Sequence, residues 1–525
     1  MTAGSTTMKK ASKAGPVRLF TNARFHPFGD RRTIEALACD QFSGTILSAG
    51  RSKELLSRYK HLEPEIVDLQ GITVLPGFTD CHTHFCGYSL MLSRPNLDGI
   101  RSLKGCQKKV FSYLKGKRPG QWIIGTGWNK NIWAEGRLPS KSDLDKVAPF
   151  NPVFLWSKDW HTGWVNSAAI KALGLSRSTQ ANTGGVVELD ARGNLTGLLR
   201  EEAANACYLQ IPKPSWPEYR QTLAAGQRSL AGLGFTGFHT METSEELQAL
   251  QDLKNEGALK LHAVCYLRHQ SLDDLISLGV RSGFGDEKLK FGGLKLFVDG
   301  SLGSQTALML EPYLNSRSQG ILAMDQDQLL SLVTAASRHG IACAVHAIGD
   351  AANRLALDIF ERTRGLNHKL RHRIEHCQLA APEDLARFGK LGIIASVQPI
   401  HYPSDRELID RHWGARGRYA YPFGSLSRTG ARLVFGSDTP IENPNPWQAI
   451  QAAVCRKEEV ITVKDAIRAY TSNAAYASND EAVKGTLEPG KLADFICLSE
   501  DIFQIKADAI GRLKVKRTFI GGKDI

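Results

Sequence analysis

VLPGFTDCHTHF, residues 74–85, reads as a short apolar strand ending in two histidines. A run of this kind fits a parallel strand buried on both faces. Side chains two apart on a strand project to the same face, so His82 and His84 can reach one metal ion together. An H-x-H pair alone is weak evidence among fifteen histidines. Its weight comes from the rest of the chain.

Outward from this stretch, seven further short apolar segments alternate with helical ones: GFTGFHTM (234–241), LHAVCYL (261–267), KFGGLKLFVDG (290–300), IACAVHAIGD (341–350), HRIEHCQ (372–378), IIASVQP (393–399) and RLVFGSDTP (432–440). Alternation of this kind marks βα units around a parallel sheet. With residues 74–85 the strands number eight, the count a closed α/β barrel of the (β/α)8 TIM type requires. Lys295, His346, His376 and Asp438 each fall near the C-terminal end of a candidate strand. Those ends form the face where barrel active sites sit. Glu375, beside His376, should point the other way along its strand and is read as structural.

These residue types suit a metal. Neutral imidazoles and an anionic oxygen are good ligands for a divalent ion, with zinc the favoured choice, and such an ion polarises a carbonyl and acidifies water. Lysine is the odd member. As a neutral amine, which burial favours, Lys295 can add carbon dioxide and become a carbamate with two oxygens. The plain alternative is a salt-bridged structural lysine.

Both chain ends have a different rhythm. Short β-like segments separated by glycine and aspartate turns occupy residues 15–74 and 480–525, and together they predict a small, discontinuous β-sandwich domain beside a barrel spanning 75–479. The interval from residue 85 to residue 234 is several times longer than a βα connection needs, so a subdomain is inserted at about residues 100–220. It carries strands at 122–128 and 152–159 and the tryptophans Trp128, Trp133, Trp156, Trp160 and Trp164, which either line a pocket or form a small core. Later, Thr462 and Asp465 make a capping box heading a helix.

The chain has 525 residues, 42% hydrophobic and 23% charged, a composition that excludes disordered and collagen-like classes. Its 66 basic and 53 acidic side chains leave a net charge of +13. The basic residues are scattered apart from Lys9, Lys10 and Lys13 near one end and Lys514, Lys516 and Arg517 near the other. A solvated surface is therefore expected, with no nucleic-acid partner. No stretch approaches the ~18 apolar residues of a membrane span, and Met1 to Leu19 lacks the apolar core of a signal peptide. Cys81 and Cys86 have no second cysteine pair to complete a zinc knuckle, so the ten cysteines are expected to be free thiols in a reducing, cytoplasmic setting.

Taken together, the segments quoted above resemble the amidohydrolase superfamily, and within it amidohydrolase family 3, which includes N-substituted formamide deformylases. PGFTDCHTH, LKLFVDGSLGSQTA, VHAIGD, HRIEHCQ, SVQP and FGSDTP stand in that family's order, joined by GTGW and WVNSAA in the insertion and LEPGKLADFICL near the end. The resemblance implies that His82 and His84 bind one metal ion and His346 and His376 a second. It also implies that carboxylated Lys295 bridges them and that Asp438 ligates the first ion and moves the proton. Some members hold a single ion, so one or two per chain are expected. The implied activity is hydrolysis of a non-peptide carbon–nitrogen bond in a small amide, N-acyl or formamide substrate. A ring deaminase and a non-catalytic scaffold are the alternatives, and a homodimer is a family habit.

His161, in KDWHTGWVNS, falls where the family has a substrate-facing histidine. His239, a substrate-binding candidate, stands where relatives read His-Asp, but Thr240 follows it here. Asp299, Ser301 and Gln305 lie in a glycine-containing loop that approaches the pocket. Arg416 and Tyr419 lie in a long loop after the seventh strand, where substrate contact and a solvated loop are both open readings.

Overall fold

The structure is a computed structural model that describes residues 16–29, 33–158, 161–177, 179 and 185–525. Lys9, Lys10, Lys13 and Trp160 therefore lie outside the described residues. Eight parallel strands follow one another in order around a barrel: β1 (Phe78–Thr83), β2 (Phe235–Glu242), β3 (His262–Arg268), β4 (Leu289–Phe297), β5 (Cys343–Ala347), β6 (Arg373–His376), β7 (Ile394–Val397) and β8 (Arg432–Phe435). Each lies within or against a segment expected from the sequence. Every residue of β1, β2, β6 and β7 is buried, which is why these strands read as apolar runs instead of alternating ones.

The first and last strands meet just beyond β8. A bridge links Thr83 to Thr439, the Asp438 amide donates to the His82 carbonyl at 2.7 Å, and the His84 amide donates to the Thr439 carbonyl at 2.8 Å. The backbone that closes the barrel thus carries three of the expected ligands. The late helix Val463–Tyr470 begins at Thr462, whose Oγ1 accepts from the Asp465 amide at 3.1 Å, but the Asp465 carboxylate takes the Thr462 hydroxyl and not the backbone amide that a capping box requires.

The two chain ends join in one hydrogen-bonded sheet of seven strands. Strand Phe495–Leu498 pairs antiparallel with Glu65–Pro76, which pairs in turn with Val17–Phe25. The expected β-sandwich is here a single continuous ladder. Its core is aromatic: Phe495 lies 4.8 Å from Phe20, 6.0 Å from Phe25 and 4.4 Å from Phe519 between ring centroids. Gly77 leads from this sheet into β1, and a Cβ there would sit 2.3 Å from the Thr236 side chain, so the passage requires glycine.

Residues Gly87–Gly226 form a second compact unit with its own five-stranded sheet. Trp128, Trp133 and Trp164 pack against each other at 5.9 to 6.1 Å with aliphatic neighbours, and Trp156 belongs to a second cluster with Phe154. These four tryptophans form core. None of the ten cysteines forms a disulfide, and all but Cys455 are buried. Among the described residues, no helix is long and apolar enough to cross a membrane.

Candidate metal centre

The C-terminal end of the barrel gathers the polar side chains. Asp438 Oδ1 lies 3.4 Å from His82 Nε2 and 3.3 Å from His84 Nε2. His376 faces His82 with ring centroids 4.9 Å apart, and His82, His376 and Asp438 each present a ligand atom within 4.8 Å of the others. His82 Nε2 and His376 Nδ1 are buried without a hydrogen-bond partner among the described residues. Burial, with Lys295 adding to it, lowers the His82 pKa to about 4, and burial also holds His376 well below its ordinary value. Burial pushes Asp438 upward, but His82 and its neighbours outweigh that and hold the carboxyl well below the usual range. Two neutral imidazoles with orphaned nitrogens beside a carboxylate are a donor set that fits a divalent ion.

His346 adjoins this group, and Lys295 acts on it electrostatically. The His346 ring lies 4.5 Å from that of His376 between centroids, and its Nε2 lies 2.9 Å from the Gly300 carbonyl, to which it donates. Burial, with Lys295 next, drops His346 to about 3. Lys295 is buried on β4, where desolvation lowers its amine to about 8. Asp299 accepts from the amides of Ile348, Gly349 and Leu308 at 2.8 to 3.0 Å, so it ties the loop after β4 to the end of β5.

Below this layer lies a buried ion pair. The Arg373 guanidinium holds both oxygens of Glu375 and donates to the Cys81 carbonyl at 2.5 Å, to Ser396 Oγ at 2.6 Å and to His239 Nδ1 at 3.0 Å. Glu375 Oε2 lies 2.5 Å from His82 Nδ1. The expectation that Glu375 points away from the site is therefore corrected. Strict alternation would send Glu375 and His376 to opposite sides, but His376 has φ +77° and the turn at the strand end brings both inward. His239 is fully buried, and since arginine only donates, its Nδ1 is the acceptor. Burial and then Arg373 keep its pKa well below the ordinary value. Thr240 beside it donates to Glu242 at 2.5 Å and accepts from the Phe85 amide at 3.0 Å.

Two residues at the centre were missed by the sequence reading. Asp80, two before His82, accepts from the His82 amide at 3.2 Å and the Ser437 amide at 2.9 Å, and burial pushes its carboxyl up to about 7. A charged residue inside an apolar strand was the available signal. His401 opens the helix His401–His412 with Nε2 at 4.0 Å from Asp438 Oδ2. Its position four residues beyond β7 carried no periodicity to mark it. Arg416 donates to the carbonyls of Glu311 and Pro312 at 2.7 and 2.6 Å, which commits its guanidinium to loop bracing. His161 belongs to the second unit, where it is exposed and lies 2.8 Å from Glu201.

A model of the amidohydrolase family matches residues 65–525. The chain is 32% identical to Protein LONG AFTER FAR-RED 3 of Arabidopsis thaliana, covering 97% of this chain and 90% of that protein. It is 27% identical to an N-substituted formamide deformylase of Arthrobacter pascens, covering 88% and 89% respectively. Among solved structures, an uncharacterized metal-dependent hydrolase of Pyrococcus furiosus superposes with a TM-score of 0.80 at 31% identity, over 92% of this chain and 99% of that one.

Proposed function

This chain belongs to the amidohydrolase family, and from that membership we propose that it is a metal-dependent hydrolase of a carbon–nitrogen bond other than a peptide bond. The observation that carries the reading is the pair of orphaned nitrogens, His82 Nε2 and His376 Nδ1, buried beside Asp438. The substrate class, a small N-substituted formamide or other N-acyl amine, is supported by the similarity to the formamide deformylase over most of both chains.

His82, His84, His346, His376 and Asp438 would hold zinc, as one or two ions, together with Lys295 once its amine has added carbon dioxide and lost a proton. When bound, the ion supplies polarisation of the substrate carbonyl and brings the pKa of the attacking water to about 7. Asp438 takes the proton of that water on its carboxylate and returns it to the nitrogen of the departing amine. The amides of Ser437 and His82 on Asp80 hold the ends of β8 and β1 together, so Asp438 keeps its place against His82. His401 Nε2 donates to the Ser437 carbonyl at 3.3 Å and so holds the backbone that enters Asp438. His161, His239 and Arg416 stand as the substrate-facing candidates. Of these, His239 offers only Nε2 and Arg416 reaches substrate only by leaving two carbonyls. A cytoplasmic location and a homodimer complete the reading.

The test is metal content by plasma mass spectrometry on protein prepared with bicarbonate and without chelator, followed by formate release from a panel of N-substituted formamides. One or two ions per chain with formate release support the reading. Lys295→Ala is expected to lose metal and at least 100-fold in rate. Release of ammonia from ring substrates without formate would transfer the protein to the deaminases, and absence of metal would overturn the hydrolase itself.

A further inference from the structure

The barrel interior spends an arginine and a glutamate where a barrel of this size is ordinarily packed with aliphatic side chains. Arg373 and Glu375 are both fully buried. Replacing such a pair by apolar residues of similar volume is often neutral or stabilising, so stability alone is a poor reason for its presence. Its contacts supply another reason. Through Arg373 the pair joins the Cys81 carbonyl on β1, His239 on β2, Tyr266 on β3 and Ser396 on β7, while both residues belong to β6. Through Glu375 it ends on His82 Nδ1 at 2.5 Å.

We infer that Arg373 and Glu375 are positioning residues that set the tautomer and orientation of His82 as a metal ligand. The inference rests on the metal-site reading above. Arg373 donates to both Glu375 oxygens, which keeps that carboxyl an ionised group able only to accept. The proton between Glu375 and His82 therefore belongs to Nδ1, and Nε2 presents its lone pair toward Asp438, where it has no other partner. A carboxylate on the far nitrogen raises the basicity of a ligating imidazole and fixes its ring plane. Arg373 adds a second constraint, because the carbonyl it holds is that of Cys81, the residue preceding His82. The guanidinium thus fixes both the backbone entering His82 and the carboxylate behind its ring. Lysine could not replace it, since no single ammonium reaches these strands in one plane.

The experiment measures zinc affinity by competition with a chromophoric chelator, together with the thermal midpoint of the metal-free protein. Glu375→Gln is expected to weaken zinc binding 10- to 100-fold, about the usual effect of losing such a partner. The double variant Arg373→Met/Glu375→Leu removes both charges. It is expected to recover the wild-type midpoint while zinc affinity stays at least 10-fold weaker. Recovery of midpoint and affinity together would overturn the inference, because a purely structural pair predicts that result. Should the variants not fold, imidazole nitrogen spectra of the metal-free wild type decide: a proton on His82 Nδ1 supports the inference and one on Nε2 overturns it. A wild-type protein that binds no zinc defeats the metal-site reading itself, an outcome separate from unchanged affinity in the variants.

Discussion

The core of the terminal sheet and the upper interior of the barrel are both fully buried, yet they are built from opposite chemistry. Phe20, Phe25, Phe495 and Phe519 fill the first with edge and stacked ring contacts among aliphatic neighbours. His82, His239, Lys295, Arg373, Glu375 and Asp438 occupy the second. Burying rings is favourable in itself, whereas burying charges costs free energy unless each finds a partner. In the barrel most do, but His82 Nε2, His239 Nε2 and His376 Nδ1 are left without one. The polar interior is thus open at His82 and His376, where it faces the reactive end and where a cation would be bound, and His239 Nε2 in the layer below is open as well.

This division predicts separable mutations. Asp438→Ala should lower kcat by about 10^3-fold, equivalent to about 4 kcal/mol of transition-state stabilisation, while the thermal midpoint of the metal-free protein changes little. Phe495→Ala should do the reverse, costing about 3 to 5 kcal/mol of unfolding free energy by leaving a cavity, with kcat per folded molecule unchanged. Urea unfolding and turnover on the same samples would show it. If Asp438→Ala destabilised the fold as much as Phe495→Ala, or if Phe495→Ala lowered turnover per folded molecule, the two interiors would not be serving separate ends.

The same contrast explains what the sequence disclosed. All eight barrel strands were legible because buried parallel strands are nearly continuous apolar runs, and His82, His84, Lys295, His346, His376 and Asp438 were legible as polar residues interrupting those runs near their ends. The supporting layer was not. Glu375 was read away from the site because alternation assumes regular backbone, and the positive φ of His376 breaks it. Arg373 meets Cys81 and His239 across separations of 292 and 134 residues, which no local spacing encodes. His239 was expected to face substrate, yet one of its nitrogens is already taken by Arg373. The tryptophans of the insertion left pocket and core equally open, and only packing assigned Trp128, Trp133, Trp156 and Trp164 to core.

The other end of the barrel sharpens the comparison further, because charges occur there too. Asp480 bonds Lys290 at the start of β4, lies 3.2 Å from Lys484 and accepts from the Ser478 hydroxyl at 2.8 Å. Burial raises its pKa, but Lys484 and Lys290 outweigh it and bring the carboxyl down from 3.8 to about 2. A carboxyl depressed on folding contributes stability that is present above its unfolded pKa and lost as pH falls through its folded one. At 1.36 kcal/mol per unit this is about 2 kcal/mol at neutral pH. Asp480→Asn should therefore cost about 2 kcal/mol at pH 7, and the gap between the two proteins should close as pH falls from about 4 toward 2. Turnover at pH 7 should be unaffected, since these charges hold the floor and touch no ligand. A gap that stayed constant down to pH 2 would show that Asp480 acts by packing and not by charge. A loss of turnover would show that the floor and the metal layer are coupled, and the separation argued from the two interiors would then hold only between the barrel and the terminal sheet.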